Sequence, residues 1–142
     1  MSLSNYSHAA LLNYMFGNTS SFDVQPSIYI GMGTADATAG DGTGFVEATS
    51  GGYARQLEGA ASWNSATNAD PSIIDNSAAI TFPVASADWS AGSNQIYAVI
   101  YDAVTAGNYL GGGGHTVDKA VLNGDTAEYS AGDFDVQFDW TG

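Results

Sequence analysis

Cysteine is absent from this 142-residue chain, which excludes a disulfide framework, a thiolate metal site and a cysteine nucleophile. Positive charge is almost absent too: Arg55 and Lys119 stand against 15 acids, for a net charge of −13. A field of that sign repels phosphate backbones and anionic bilayers, so neither nucleic acid nor a membrane surface is an expected partner. Only two histidines, His8 and His115, are available for acid–base work, and no G-x-S-x-G elbow occurs. Long hydrophobic runs are missing as well. The opening MSLSNYSHAALLNYMFG lacks the cationic stretch of a secretory signal, and Asn and Tyr interrupt its apolar residues, so the expectation is a soluble protein that keeps its first residues.

What is present suits one β-rich domain. Hydrophobic residues make up 44% and aromatics 12%, with 18 glycines. A chain of this length buries roughly 68 to 70% of its unfolded surface, enough for a core of its own. Many glycines among Ala, Ser, Thr and Asn mark tight turns between short strands.

Ser4 to Phe16 reads as the one sizeable helix, capped by Ser2 or Ser4 and ended by Gly17 in the left-handed conformation. It has no clean polar face: Leu3, Tyr6, Ala10, Leu11, Leu12, Tyr14, Met15 and Phe16 ring it, and His8 is its only ionisable side chain. Either it plugs one end of the domain's own core or a neighbouring subunit covers its second face. Beyond it the period becomes alternating. SIYIGMGT (27–34) sets Ile28, Ile30 and Met32 on one face and Gly31 and Gly33 on the other, the pattern of a strand whose outer face is closely approached. Tyr53 to Leu57 and Ala79 to Phe82 read as short strands, the latter stopped by Pro83, and QIYAVIY (95–101) as a central strand covered on both faces. The last third reads as a three-stranded meander, Val117 to Leu122, Thr126 to Tyr129 and Phe134 to Trp140, turning at Asn123-Gly124 and Gly132. With no alternation of strand and helix, the expected fold is mainly β: an antiparallel β-sandwich, jelly-roll-like, over residues 23–142, with an N-terminal helix or arm over 1–22.

The search for chemistry returns little. YLGGGGHTVDK (109–119) fails as a phosphate loop, because four residues separate Gly114 from Lys119 and Asp118 has the wrong sign. GMGTAD (31–36) places Asp36 where a dinucleotide fingerprint needs glycine. His115 near Asp118 is an oriented base on paper only. Asp36, Asp41 and Glu47 share a glycine-rich loop but not the register of a calcium-binding EF-hand loop. Trp63 and Trp89, with Asp36 and Asp41, are the residues a glycan-binding module would use. Arg55, in GGYARQ, is expected to pair with a carboxylate through two oxygens and so to fasten the domain or a subunit contact.

PSIYIGMGTADAT, GGYARQ, ITFPVASADW, IYAVIYDAVTAGNYLGGG and VLNGDTAEYSAGDFDVQFD, in that order after the opening segment, resemble a family of small virion proteins of tailed bacteriophages. Its members carry tail-fibre or minor-structural labels, and some similar proteins are trimeric capsid cement proteins. The resemblance implies no catalytic residue and no cofactor. It implies a structural role, with capsid decoration first and a minor tail or tail fibre protein as the alternative, and as partners the major capsid protein and further copies in a homotrimer. It also makes Gly111 to Gly114 a bend between the central strand and the meander. Leu3, Tyr6, Leu11, Leu12, Tyr14, Met15 and Phe16 are the residues expected at the interface.

Overall fold

The computed structural model describes residues 2–18 and 27–138. The expected boundary between arm and sandwich, at residues 22 and 23, lies outside them, as do Asp139 and Trp140 of the last expected strand. The fold is mainly β, with antiparallel sheets and one short N-terminal helix. Its strands are β1 (Ser2–Leu3), β2 (Ser27–Ala35), β3 (Val46–Glu47), β4 (Gln56–Gly59), β5 (Ser72–Asp75), β6 (Ile80–Thr81), β7 (Asn94–Tyr101), β8 (Tyr109–Ala120), β9 (Glu128–Tyr129) and β10 (Asp135–Phe138); the helix α1 is Asn5–Met15. A six-stranded sheet runs β1-β8-β7-β2-β3, with β4 also on β2, and two ribbons, β10-β5 and β6-β9, form the second layer.

The period-two pattern of β2 sets the layers. Ile28, Ile30 and Met32 face the ribbons and pack in the core with Ile80, Phe82, Trp89, Ala98, Ile100 and Phe134. On the opposite face Gly31 and Gly33 admit the Tyr53 hydroxyl, Val99 and the Phe45 ring where a Cβ would collide. That outer face carries a second, smaller cluster of Tyr97, Val99 and Tyr109.

The four consecutive glycines are not a bend. Gly111 to Gly114 lie inside β8, opposite Ile100, Val99, Ala98 and Tyr97, and a Cβ on Gly112 would meet the Tyr109 hydroxyl and the Tyr97 ring, each at 2.6 Å. Glycine is needed there because two tyrosine rings lie across the strand. The chain turns instead before β8, at Ala106 (φ 52°) and Gly107 (φ 82°).

The meander does not form either. β9 pairs with β6 and β10 with β5, although the turns at Gly124 and Gly132 do adopt positive φ. Segment 82–89 takes the hydrogen bonds the meander would have used: the amides of Phe82, Ala85 and Trp89 donate to the carbonyls of Ala127, Asp125 and Val121. This pairing buries Phe82, Trp89 and Val121 together, and burial of large side chains outweighs the entropic ease of local hairpins.

Asn76 joins the two ribbons. Wholly buried, it donates through Nδ2 to the carbonyls of Ala78 (2.7 Å) and Ser130 (2.8 Å) and accepts the Phe134 amide at Oδ1 (2.9 Å).

Candidate functional site

The helix is anchored at its start and open along its length. Ser4 caps it, its Oγ accepting the Ser7 amide at 3.1 Å, while the Ser4 amide and the Ser7 hydroxyl both donate to the Leu110 carbonyl on β8. The Asn5 amide donates to the Gly40 carbonyl. At the other end Gly17 adopts φ 72° and donates to the Tyr14 carbonyl. None of its residues is buried, so α1 is not a plug in the core. Leu12, Met15 and Phe16 are 55, 66 and 76% exposed, Tyr6 and Tyr14 are exposed as well, and Leu3 and Leu11 are half-buried.

Arg55 is fully engaged. Its Nε and Nη2 donate to the two oxygens of Glu47, each at 2.7 Å, and Nη1 donates to the carbonyls of Ala103 and Ala106, each at 2.8 Å. Its guanidinium lies 3.7 Å from the centre of the Tyr101 ring. The Tyr53 hydroxyl donates to Glu47 Oε1 and accepts the Met32 amide; burial, then the charge of Glu47, pushes that phenol well above the ordinary range. Together these contacts tie β3, the 102–108 hairpin and β2.

A groove of about 850 Å³ runs between β8 and the segment from Asp125 to Gln137. It exists because β7 and β8 fall out of step. Between the pairs Gln95–Lys119 and Tyr97–Gly114, residues 115–118 stand against Ile96 alone, and this bulge turns Gln95 inward. His115 takes over the Gln95 carbonyl with Nδ1 (3.0 Å), and its Nε2 lies 2.7 Å from the Tyr129 hydroxyl. A carbonyl only accepts, so Nδ1 carries a proton, and in the neutral ring the Tyr129 hydroxyl donates to Nε2. Burial holds the Tyr129 phenol far up and therefore protonated.

Other sequence-level candidates do not converge. His115 is oriented by Gln95 and Tyr129 and not by Asp118. Asp41 accepts the Thr43 amide, which lowers its pKa, and Glu47 belongs to Arg55. Among the described residues no three His, Asp or Glu side chains gather as a metal requires. Trp89 is wholly buried against Tyr53 and Phe82, so it has no face to offer a sugar ring, and Trp63 packs on Phe134. Gln95, Tyr129 and Asn76 belong to no catalytic or binding motif in the sequence. For Gln95 the available signal was a single amide beginning an otherwise apolar central strand.

Comparison with known proteins adds one family. The model described as "Podophage GP4 fiber I protein gp80" matches residues 2–137. No curated protein matches the chain. A fibre description fits the minor tail or tail fibre alternative better than capsid decoration.

Proposed function

Because the chain belongs to the family of the podophage GP4 fiber I protein gp80, we propose that it is a non-enzymatic structural subunit of a phage tail fibre that joins further copies of itself through α1. The observation that carries this reading is the exposed, uncharged helix. Residues 2–18 contain no Asp, Glu, Lys or Arg in a chain of net charge −13. Contact through the strongly acidic surface would set like charges together, whereas contact through Leu12, Met15 and Phe16 buries apolar area at about 25 cal/mol per Å² before association costs. The two side chains best suited to chemistry, Arg55 and His115, spend their polar atoms on the fold. That supports a role in lending surface.

The test compares wild type with Leu12→Asp/Met15→Asp by light scattering after size exclusion. Wild type is expected at a multiple of its 14.6 kDa chain mass, three being the number the family resemblance implies. The variant should run as a monomer and melt within a few degrees of the melting temperature that wild type shows when diluted to monomer. A wild type that stays monomeric at high concentration would refute self-assembly. Cross-linking within intact virions decides placement: links to tail proteins support the fibre, and links confined to the major shell protein would restore capsid decoration.

A further inference from the structure

We infer that the groove between β8 and the Asp125–Gln137 segment receives a cationic side chain, a guanidinium or an alkylammonium, from a basic segment of another protein. Its lining carries four carboxylates, those of Asp125, Glu128, Asp133 and Asp135. With His115 neutral, the Tyr129 proton is committed to it, which leaves the phenol oxygen to accept. Glu128 is steadied by the Thr81 hydroxyl, and Asp133 and Asp135 complete the wall. Asp135 also stands directly across from Asp75 in the β5–β10 ribbon, a pairing of like charges that a cation would relieve. Against these, Lys119 is the one cation in the lining.

The second observation is independent of those carboxylates. Gln95 lines the groove at 2% exposure, and its Oε1 has no hydrogen-bond partner. The amide cannot be turned round, because Nε2 donates to the Ser93 carbonyl at 3.0 Å and the exchange would set oxygen against oxygen. An enclosed acceptor without a donor is costly. A slender donor on a flexible stem meets that atom once the side chains over it part, whereas a sugar ring or a hydrated ion is too broad for the opening. The carboxylates are spread along the groove, not gathered as a bare metal requires. The donor is not a second copy of this chain, whose only cations are the locked Arg55 and Lys119 itself. This inference stands apart from the self-association of α1, and its test uses variants that leave α1 intact.

Calorimetric titration of the full chain with a blocked glycine–arginine pentapeptide should give saturable binding at one site per chain. Gln95→Leu, which removes the enclosed acceptor, should weaken it at least tenfold, and so should Asp133→Asn/Asp135→Asn at surface positions. Asp36→Asn/Asp41→Asn, which removes the same charge outside the groove, should change it less than twofold. Equal weakening by the two aspartate pairs, no effect of Gln95→Leu in a variant that still melts cooperatively, tighter binding of maltotriose than of the peptide, or no saturation would each overturn the inference.

Discussion

Asn76→Ala tests whether the second layer is held by one side chain. The substitution deletes three hydrogen bonds and leaves the Ala78 carbonyl and the Phe134 amide without the partner Asn76 gave them, while the Ser130 carbonyl keeps the Asp133 amide at 3.1 Å. A buried group stranded in this way costs about 1–3 kcal/mol. Two stranded groups and one carbonyl left with a single bond sum to about 3–5 kcal/mol, a large share of the ~5–15 kcal/mol that stabilises a domain. The melting temperature should fall by about 10–20 °C. Trp89 lies in the core and Trp63 against Phe134, so intrinsic fluorescence in urea reads the loss directly, at one protein concentration to hold any association constant. Asn76→Asp sharpens the test. Its carboxylate would face two carbonyls, so the folded state should hold a proton on it more tightly than the unfolded chain does. The variant should therefore gain stability as pH falls from 7 toward 4, relative to wild type. A loss below about 1 kcal/mol for Asn76→Ala, on the same scale, would show that the two ribbons are held by their apolar contacts alone.

Three further outcomes follow. A double-mutant cycle of Arg55→Ala and Glu47→Ala should return a coupling of about 1–3 kcal/mol, because the pair is bidentate and the Arg55 side chain is 6% exposed against 28% for Glu47; additive losses would mean that the backbone carbonyls alone hold Arg55. Burial raises the phenols of Tyr53, Tyr109 and Tyr129, so the unfolded chain releases these protons first and stability is lost as pH climbs above about 10. In a spectrophotometric titration their ionisation should lag behind that of the exposed tyrosines and coincide with loss of the far-ultraviolet dichroism. Gly112→Ala should cost about 1–3 kcal/mol, since its Cβ meets Tyr97, Tyr109 and the Ala98 carbonyl within 2.8 Å. Gly59→Ala, with nothing within 4 Å of its Cβ, should be close to neutral in the same melting assay.

Local chemistry made the helix and the central strands legible. Ser4, the absence of charge through Phe16, and Gly17 mark α1 to within a residue at each end, because caps and left-handed stops act over one turn of chain. The alternation of Ile28, Ile30 and Met32 against Gly31 and Gly33 already states which face of β2 is buried and which is approached. Composition alone set the sign of the field and the poverty of catalytic groups.

Partner choice lay beyond it. Asn123-Gly124 and Gly132 make their turns, yet which strand receives the chain after each turn is settled by segment 82–89 and by Asn76, 32 to 58 residues away in sequence, which supply hydrogen bonds inside a core no hairpin could build. Gly111 to Gly114 look like a hinge in one dimension and prove to lie within a strand, where Gly112 is the floor under Tyr97 and Tyr109, because its need for glycine comes from rings at other positions of the sheet. The groove at Gln95 arises from a mismatch in length between β7 and β8. Register is a relation between two strands, and so is decided only when they meet.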